Sequence, residues 1–352
     1  MPARTGYGNF ESILARAAFA DAKFADVPSH RNIHVGWRVP AVGGAQPCQS
    51  ASVAGRRGAW TVARVALALA PLVIWSFMKI AVLIFVALTV VGLLVHLLCL
   101  RILKWRGITV ERTKFGLALL FDTADEDGTP VRMLNVNGAF QSVAYATDEL
   151  WDELALEYQR EQARIISELP QLRCVAVIGG GGFSLPKWLV THLAPVAVSV
   201  VEIDEKIIEI ARRSFGLDRL EREYAGTGRF ALACDDGWAW LGRQDEPFEL
   251  IVNEAFSGKK PLGPLTREEG ARVVHEHLSE GGTYLATLRF PLEGRGSESM
   301  YETVRVFSRE FAHVWLVPEF ADEPSAAGNN TLVASDIDLV AAGCTPLAGF
   351  ER

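Results

Sequence analysis

The chain has 352 residues, room for one large domain or two ordinary ones, and its 49% hydrophobic and 22% charged residues exclude a collagen-like, coiled-coil or wholly disordered protein. The net charge of −7 is unevenly spread: residues 1–106 hold 12 basic and 3 acidic side chains, whereas residues 107–352 hold 23 and 39. An acidic globular part lacks the basic footprint that displaces counterions from nucleic acid, so no nucleic-acid partner is expected.

In chain order, residues 1–60 mix Gly, Pro, Ala and Arg without periodicity and are expected to be poorly ordered. Residues 61–106 then carry the strongest signal in the sequence. Over 65–100 the strongly polar residues are Ser76, Lys79 and His96, and the piece 80–100 is 21 residues long without a formal charge when His96 is neutral. A bilayer core of ~30 Å takes about 20 apolar helical residues, so this piece spans alone. The 36 residues 65–100 as one helix would measure ~54 Å, too long for one span. Two arrangements fit: a transmembrane hairpin of 65–77 and 80–100 turning near residues 76–79, or a single span over 80–100. In both, Arg101, Lys104 and Arg106 hold the following domain in the cytoplasm, with the lipid bilayer as a partner of residues 65–100. A buried core helix is disfavoured by the bracketing charges. A secretion signal headed by Arg56 and Arg57 is disfavoured by the basic cluster behind the run.

Residues 107–170 read as a small β-rich cap followed by a helix. Strands at 108–111, 117–121, 131–136 and 139–145 are punctuated by Asp-Glu-Asp-Gly and Asn-Gly turns. Thr147 is placed to cap a helix reaching residue 166, with Asp148, Glu149 and Asp152 near its positive end. Over 171–335 strands at 173–178, 197–203, 230–234, 250–253 and 283–288 alternate with helices at 185–193, 205–215 and 266–278, and 314–317 with 331–334 fit a terminal strand pair. This alternation predicts an α/β fold: a doubly wound, mostly parallel, Rossmann-like sheet covered on both faces. Residues 336–352 give no signal and are expected to be a tail.

The chemistry-bearing motifs sit at the ends of those strands. GGGGFS at 179–184 follows the first strand and opens a helix, which lets a ligand approach bare backbone N–H groups. Twenty-one residues beyond Gly181, at the end of the next strand, stand Glu202 and then Asp204; a carboxylate there accepts from ribose hydroxyls. The arrangement strand, glycines, helix, strand, acid points to a nucleoside cofactor. NAD is one candidate, but Ser184 replaces the third glycine of its fingerprint. Asp235 and Asp236 after the third strand suit the adenine amino group of an S-adenosyl ligand better. Glu254 after the fourth strand points into the crevice where parallel sheets bind ligands. Five cysteines, Cys48, Cys99, Cys174, Cys234 and Cys344, have no ligand spacing, so neither a metal site nor a disulfide framework is expected. His275 and His277, two apart on a helix, do not share a face.

VIGGGGFSLP, VVEIDEKIIEIARRSF, CDDGWAWL and FELIVNEAFSGKKPLGPLT, in this order, resemble spermidine synthases, and are most similar to their membrane-associated relatives with AFSG after the fourth strand. LNVNGAFQSVAY resembles the family's β-hairpin segment, and the likeness covers about residues 108–335. The resemblance implies a class I methyltransferase-type sheet and a transferase using decarboxylated or ordinary S-adenosylmethionine as donor, with no metal. It implies that Gly179, Gly180 and Gly181 lie against the nucleoside, that Glu202 holds the ribose, and that Asp235 and Asp236 flank the adenine. Gln141 matches the glutamine beside the cofactor tail, and Glu254 matches the aspartate that deprotonates the attacking amine. Tyr158 and Ser257 fall on the acceptor side, and a homodimer is common among such proteins. The sequence also departs from the family: its aspartate after the three glycines is Gly182, and its second strand-four aspartate is Ser257. Three functions follow: alkylation of an amine acceptor by a membrane-anchored spermidine synthase-like enzyme, methyl transfer to another small acceptor, or a noncatalytic nucleoside-binding module at the membrane.

Met78 and Lys79 directly precede the strongest apolar run, so the functional chain is expected to begin near Met78. Intact-mass measurement of the native protein checks this, and a mass equal to residues 1–352 refutes it.

Overall fold

The computed structural model describes residues 56–170, 172–257, 260, 261 and 267–350, with side chains from residue 75 onward and not over 256–266; the expected disorder of the N-terminal stretch lies outside the described residues up to 55. The first unit contributes helix α1, Arg56–Trp105. It runs without interruption through residues 76–79, where the hairpin arrangement required a turn. Those four residues, Ser, Phe, Met and Lys, include neither Gly nor Pro, so nothing in them breaks a helix. Within α1, Trp75–Trp105 has a mean hydropathy of 2.8 and an exposed apolar surface, and is long and apolar enough to cross a membrane.

The second unit begins with a four-stranded antiparallel meander: β1 Thr109–Thr113, β2 Gly116–Ala124, β3 Pro130–Val136 and β4 Ala139–Tyr145. The β3–β4 connection is Asn137-Gly138 with φ of 53° and 82°, the double left-handed geometry that a two-residue hairpin demands and that Asn-Gly tolerates. Helix α2, Glu157–Ser167, starts nine residues later than the sequence predicts. Thr147 caps only a short 3-10 turn, Asp148–Leu150, and makes no capping hydrogen bond. The carbonyls between are taken by long cationic side chains rather than by helical N–H groups. Lys187 Nζ donates to Trp151 O at 2.6 Å, and Arg160 Nη1 donates to Leu154 O and Ala155 O at 3.0 Å.

The main sheet is formed by β5 Cys174–Ile178, β6 Ala197–Glu202, β7 Phe230–Cys234, β8 Phe248–Asn253, β11 Leu278–Pro291, β12 His313–Val317 and β13 Ala327–Ser335, in the order β12-β13-β11-β8-β5-β6-β7. Five neighbouring strands from β7 to β11 are parallel, and β13 inserts antiparallel between β11 and β12. A two-residue pair, β9 Phe256–Ser257 with β10 Lys260–Pro261, stands apart. Successive residues of a strand face opposite sides, so Val175 and Val177 enter one core while Ala176 and Ile178 enter the other. One side is covered by α2, α3 (Ser184–His192), α4 (Glu205–Ser214) and α5 (Leu217–Tyr224). The other carries α6 (Gly237–Leu241), α7 (Glu268–Glu276) and α8 (Ser297–Glu310). Helices α5, α6 and α8 are absent from the sequence expectation. The expected tail is also corrected: Leu339, Cys344 and Leu347 are buried in the α2 side of the core, so residues 336–350 close the fold rather than trail from it.

Lys187 is 1% exposed, bonded to Trp151 O and, at 2.9 Å, to Phe215 O, which ties the segment before α2 to the end of α4. Burial lowers its ammonium to about 8, opposed by Asp152. The folded chain then binds fewer protons than the unfolded chain between about 8 and 10.5, so this group makes stability rise with pH over that window, by roughly 3 kcal/mol in all. Denaturant unfolding from pH 7.5 to 10 checks this: the rise is expected in the native chain and lost in Lys187→Met.

Candidate active site

The sheet reverses its winding between β5 and β8, since the chain runs from β5 outward to β7 and then returns to β8. Ligands of open α/β sheets bind in the crevice outside the carboxyl ends at such a point. Gly179 N donates to Val201 O and Glu254 N to Ile178 O, both at 2.8 Å, so the loops after β5 and β8 leave the sheet side by side. A Cβ on Gly179 would sit 2.7 Å from the Ala255 backbone, and its φ is +93°. Only glycine fits there.

Gln141, Gly179, Gly180, Gly181 and Glu254 line one cavity, together with Ser142, Val143, Gln159, Ser184, Leu185 and Pro186. The β4 hairpin lies directly on the glycine loop: Gly182 N donates to Ser142 Oγ at 2.6 Å and Ser184 Oγ to Val143 O at 3.3 Å. A Cβ at Gly182 would come within 2.8 Å of Ser142 Cβ and 3.0 Å of Phe215 Cδ1. The missing side chain at 182 is therefore built into the packing.

Glu202, 8% exposed, binds the loop itself. Its Oε2 accepts from Gly180 N at 2.9 Å and Gly181 N at 3.1 Å, while Oε1 accepts from Asp204 N at 3.0 Å. Oε1 keeps lone-pair capacity for a hydroxyl. Asp204 does not face the crevice: its Oδ1 caps α4 through Lys206 N at 3.0 Å and its Oδ2 accepts from Lys114 N at 2.6 Å. Its expected cofactor contact is replaced by helix capping. Asp236 likewise caps α6 through Ala239 N at 3.0 Å, and Asp235 is ion-paired to Arg243 while accepting from Asp236 N at 2.8 Å. The side chain of Ser257 lies outside the described residues.

Glu254 is half-buried in the cavity wall, and among the described residues no cation is bonded to it. Thr287 Oγ1 and, at 3.0 Å, Gln162 Nε2 donate to its Oε1; Tyr158 OH and Gln159 Nε2 approach Oε2 at 3.3 and 3.5 Å. Gln162 Nε2 also donates to Thr287 Oγ1 at 2.9 Å, closing a triangle. Burial pushes the Glu254 carboxyl above its ordinary value, and the four hydrogen bonds pull the other way. Burial, reinforced by the Glu254 charge, holds the Tyr158 phenol well above its own. Among the described residues, Gln159 Oε1 and Gln162 Oε1 are buried without a hydrogen-bond partner. Tyr158 thus reaches the site through Glu254. Gln159, Gln162, Thr287 and Ser142 escaped the sequence reading. Gln159 and Gln162 share the buried face of α2 with Ala163 and Ile166, and glutamines on a helix's apolar stripe are the signal that marks them.

Residues 165–319 match the family model of the spermine/spermidine synthase domain. Among curated relatives, a polyamine aminopropyltransferase 2 of Pseudomonas aeruginosa is 25% identical over 214 residues, covering 59% of this chain and 58% of the relative. A polyamine aminopropyltransferase of Thermococcus onnurineus is 30% identical over 116 residues, 33% of this chain and 40% of the relative. The matches thus span about two-fifths to three-fifths of those relatives. The spermidine synthase structure from Thermotoga maritima aligns with a TM-score of 0.52 at 17% identity, over 67% of this chain and 75% of that one. A probable spermidine synthase from Corynebacterium glutamicum aligns with a TM-score of 0.53 at 20% identity, over 69% and 87%. These structural likenesses establish the fold.

Gly179→Ala is expected to lower stability by about 1–3 kcal/mol, the cost of overpacking against backbone that cannot yield, and chemical denaturation checks this.

Proposed function

We propose, from the premise that the chain is spermidine synthase-like through residues 165–319, that it is a membrane-anchored transferase moving an alkyl group from a sulfonium nucleoside onto an amine. The observation that carries this reading is Glu254: a half-buried carboxylate, its pKa raised by desolvation, at the switch point beside the glycine loop. An ammonium has no lone pair, and a carboxylate whose proton affinity is raised toward that of the amine is a suitable base. In the reaction the acceptor nitrogen attacks the carbon bonded to the sulfonium sulfur. The nitrogen–carbon bond forms as the carbon–sulfur bond breaks, the neutral thioether nucleoside leaves with the electron pair, and the acceptor's proton passes to Glu254. Since no covalent enzyme intermediate is required, positioning supplies most of the catalysis.

For the donor, Gly179, Gly180, Gly181 and Gln141 form the cavity wall, Glu202 Oε1 is available to a ribose hydroxyl, and Asp235 stands at the carboxyl end of β7 for the adenine side. The aminopropyl donor, decarboxylated S-adenosylmethionine, is the first choice from the relatives' activity. Methyl transfer from ordinary S-adenosylmethionine is the second reading, favoured by the packing of Ser142 on Gly182, which leaves no room for a carboxylate toward the aminopropyl amine. For anchoring, the apolar run of α1 ends in Lys104 and Trp105 and is followed by Arg106, the pattern of a cytoplasmic flank.

Mass spectrometry of the nucleoside product separates the readings: methylthioadenosine marks aminopropyl transfer and S-adenosylhomocysteine marks methyl transfer. Glu254→Gln is expected to lower kcat by about 10²–10⁴-fold while donor binding persists. The native enzyme's kcat/KM is expected to rise with pH through a pKa above the ordinary carboxylate range, because the base works deprotonated, and this limb is expected to vanish in the variant. Unchanged turnover in Glu254→Gln refutes the role.

A further inference from the structure

We infer that Gln162 and Thr287 are positioning residues: together they hold Oε1 of Glu254 and leave Oε2 as the oxygen that takes the proton of the attacking nitrogen. This rests on the transferase reading and names the atom and the support on which its proton step depends. The triangle contains three polar hydrogens, one on the Thr287 hydroxyl and two on Gln162 Nε2. Gln162 Nε2 donates one to Glu254 Oε1 at 3.0 Å and one to Thr287 Oγ1 at 2.9 Å, and Thr287 donates its own to Oε1. No hydrogen is left over, so the direction of each bond is fixed by the other two. Turned over, the Gln162 amide would press its oxygen against the carboxylate oxygen. It lies the other way even though its Oε1 is then buried with no hydrogen-bond partner among the described residues.

The two oxygens of Glu254 are therefore not equivalent. Gln162 and Thr287, which hold Oε1, are 0% and 6% exposed and are not among the described residues that line the cavity. Oε2 is approached by Tyr158 OH at 3.3 Å and by Gln159 Nε2 at 3.5 Å, both long for hydrogen bonds, and Gln159 does line the cavity. A proton arriving at Oε1 would meet two donor hydrogens already there, whereas Oε2 keeps lone-pair capacity. As the nitrogen lone pair forms the bond to carbon, the carbon–sulfur pair stays on the thioether sulfur and the proton passes to Oε2. Both donors to Oε1 favour the charged carboxylate, so they limit how far burial raises its proton affinity. The titratable group bonded to Glu254 is Tyr158, on which the charges of Glu319 and Arg289 also act. Its phenol stays protonated, because burial and the Glu254 charge hold its pKa well above the ordinary value.

The test uses the full chain in lipid nanodiscs and the variants Thr287→Val, Thr287→Ser, Gln162→Leu and Tyr158→Phe, each checked for native thermal unfolding. Difference infrared spectroscopy follows the Glu254 carboxyl through pH, with Glu254→Gln as the blank. Thioether nucleoside release from each sulfonium donor, with 1-aminobutane and 1,4-diaminobutane as acceptors, gives the pH profile of kcat/KM. Thr287→Val and Gln162→Leu are expected to move the carboxyl titration and the ascending limb together to higher pH by about one unit, the effect of one hydrogen bond to a charged group. They are also expected to lower kcat by about tenfold through misplacement of the base, with the donor's KM unmoved. Thr287→Ser keeps the hydroxyl and is expected to return both readouts close to their native positions. Tyr158→Phe removes a long contact to Oε2 and is expected to move the titration less than Thr287→Val; an equal or larger shift refutes the assignment of Oε2. An unshifted titration in folded Thr287→Val or Gln162→Leu overturns the inference and leaves the transferase reading intact. No product from the native chain with any donor and acceptor overturns the transferase reading and with it the proton step, which the infrared titration tells apart from a failure of the hold on Oε1.

Discussion

The Glu254 carboxylate is half-buried, and among the described residues the groups bonded to it are neutral, so much of the surrounding architecture serves to make its partial desolvation tolerable. Taking a charged group out of water is costly unless hydrogen bonds replace the lost hydration. Those bonds come from two directions: Thr287 from the middle of β11, and Tyr158, Gln159 and Gln162 from successive positions of α2. Helix α2 follows the β1–β4 meander, so Glu254 acquires its surroundings only when α2 and the sheet have assembled. The helix is in turn started late by Lys187 and Arg160, which take the carbonyls before it. The same choice of neutral donors over a cation leaves the carboxyl with a raised pKa, where a bonded arginine would have lowered it.

The glycine loop obeys a second constraint, close approach. Gly179 passes the β8 loop at a distance no side chain permits, and Gly181 and Gly182 pass under Ser142 of the β4 hairpin. Glu202 then gathers the loop's N–H groups. The cavity wall is therefore shaped jointly by the loop, the acid of the next strand and the cap hairpin. Because Ser142 occupies the space above residue 182, the departure there from the spermidine synthase pattern belongs to a packed surface.

Several expectations from sequence were corrected for one reason: a polar residue type serves more than one physical purpose. An aspartate at the end of a parallel strand is equally apt to meet a ligand or to cap the next helix. Asp204 and Asp236 cap α4 and α6, whereas Asp235, ion-paired to Arg243, stays at the carboxyl end of β7. Thr147 is a good cap by composition, yet its helix was displaced by tertiary donors competing for the same carbonyls. The unbroken α1 in place of a hairpin follows from local chemistry, the lack of any breaker at residues 76–79.

The sequence by itself determined the parallel strands, because strands buried on both faces must be continuously apolar, and it determined the glycine turn and the position of Glu254 after the fourth strand. It also marked the apolar run of α1, whose length and hydropathy are local properties. Tertiary structure alone decided which groups surround Glu254. Gln162 and Thr287 are 125 residues apart, and their meeting at Glu254 depends on the register of β11 against β8 and the seating of α2. No local pattern encodes a contact of that span. The same holds for Ser142 over Gly182, 40 residues apart, and for the burial of Leu347 beside α2. Such contacts arise where separately specified elements close on one another, and there the charge and room of the site are set.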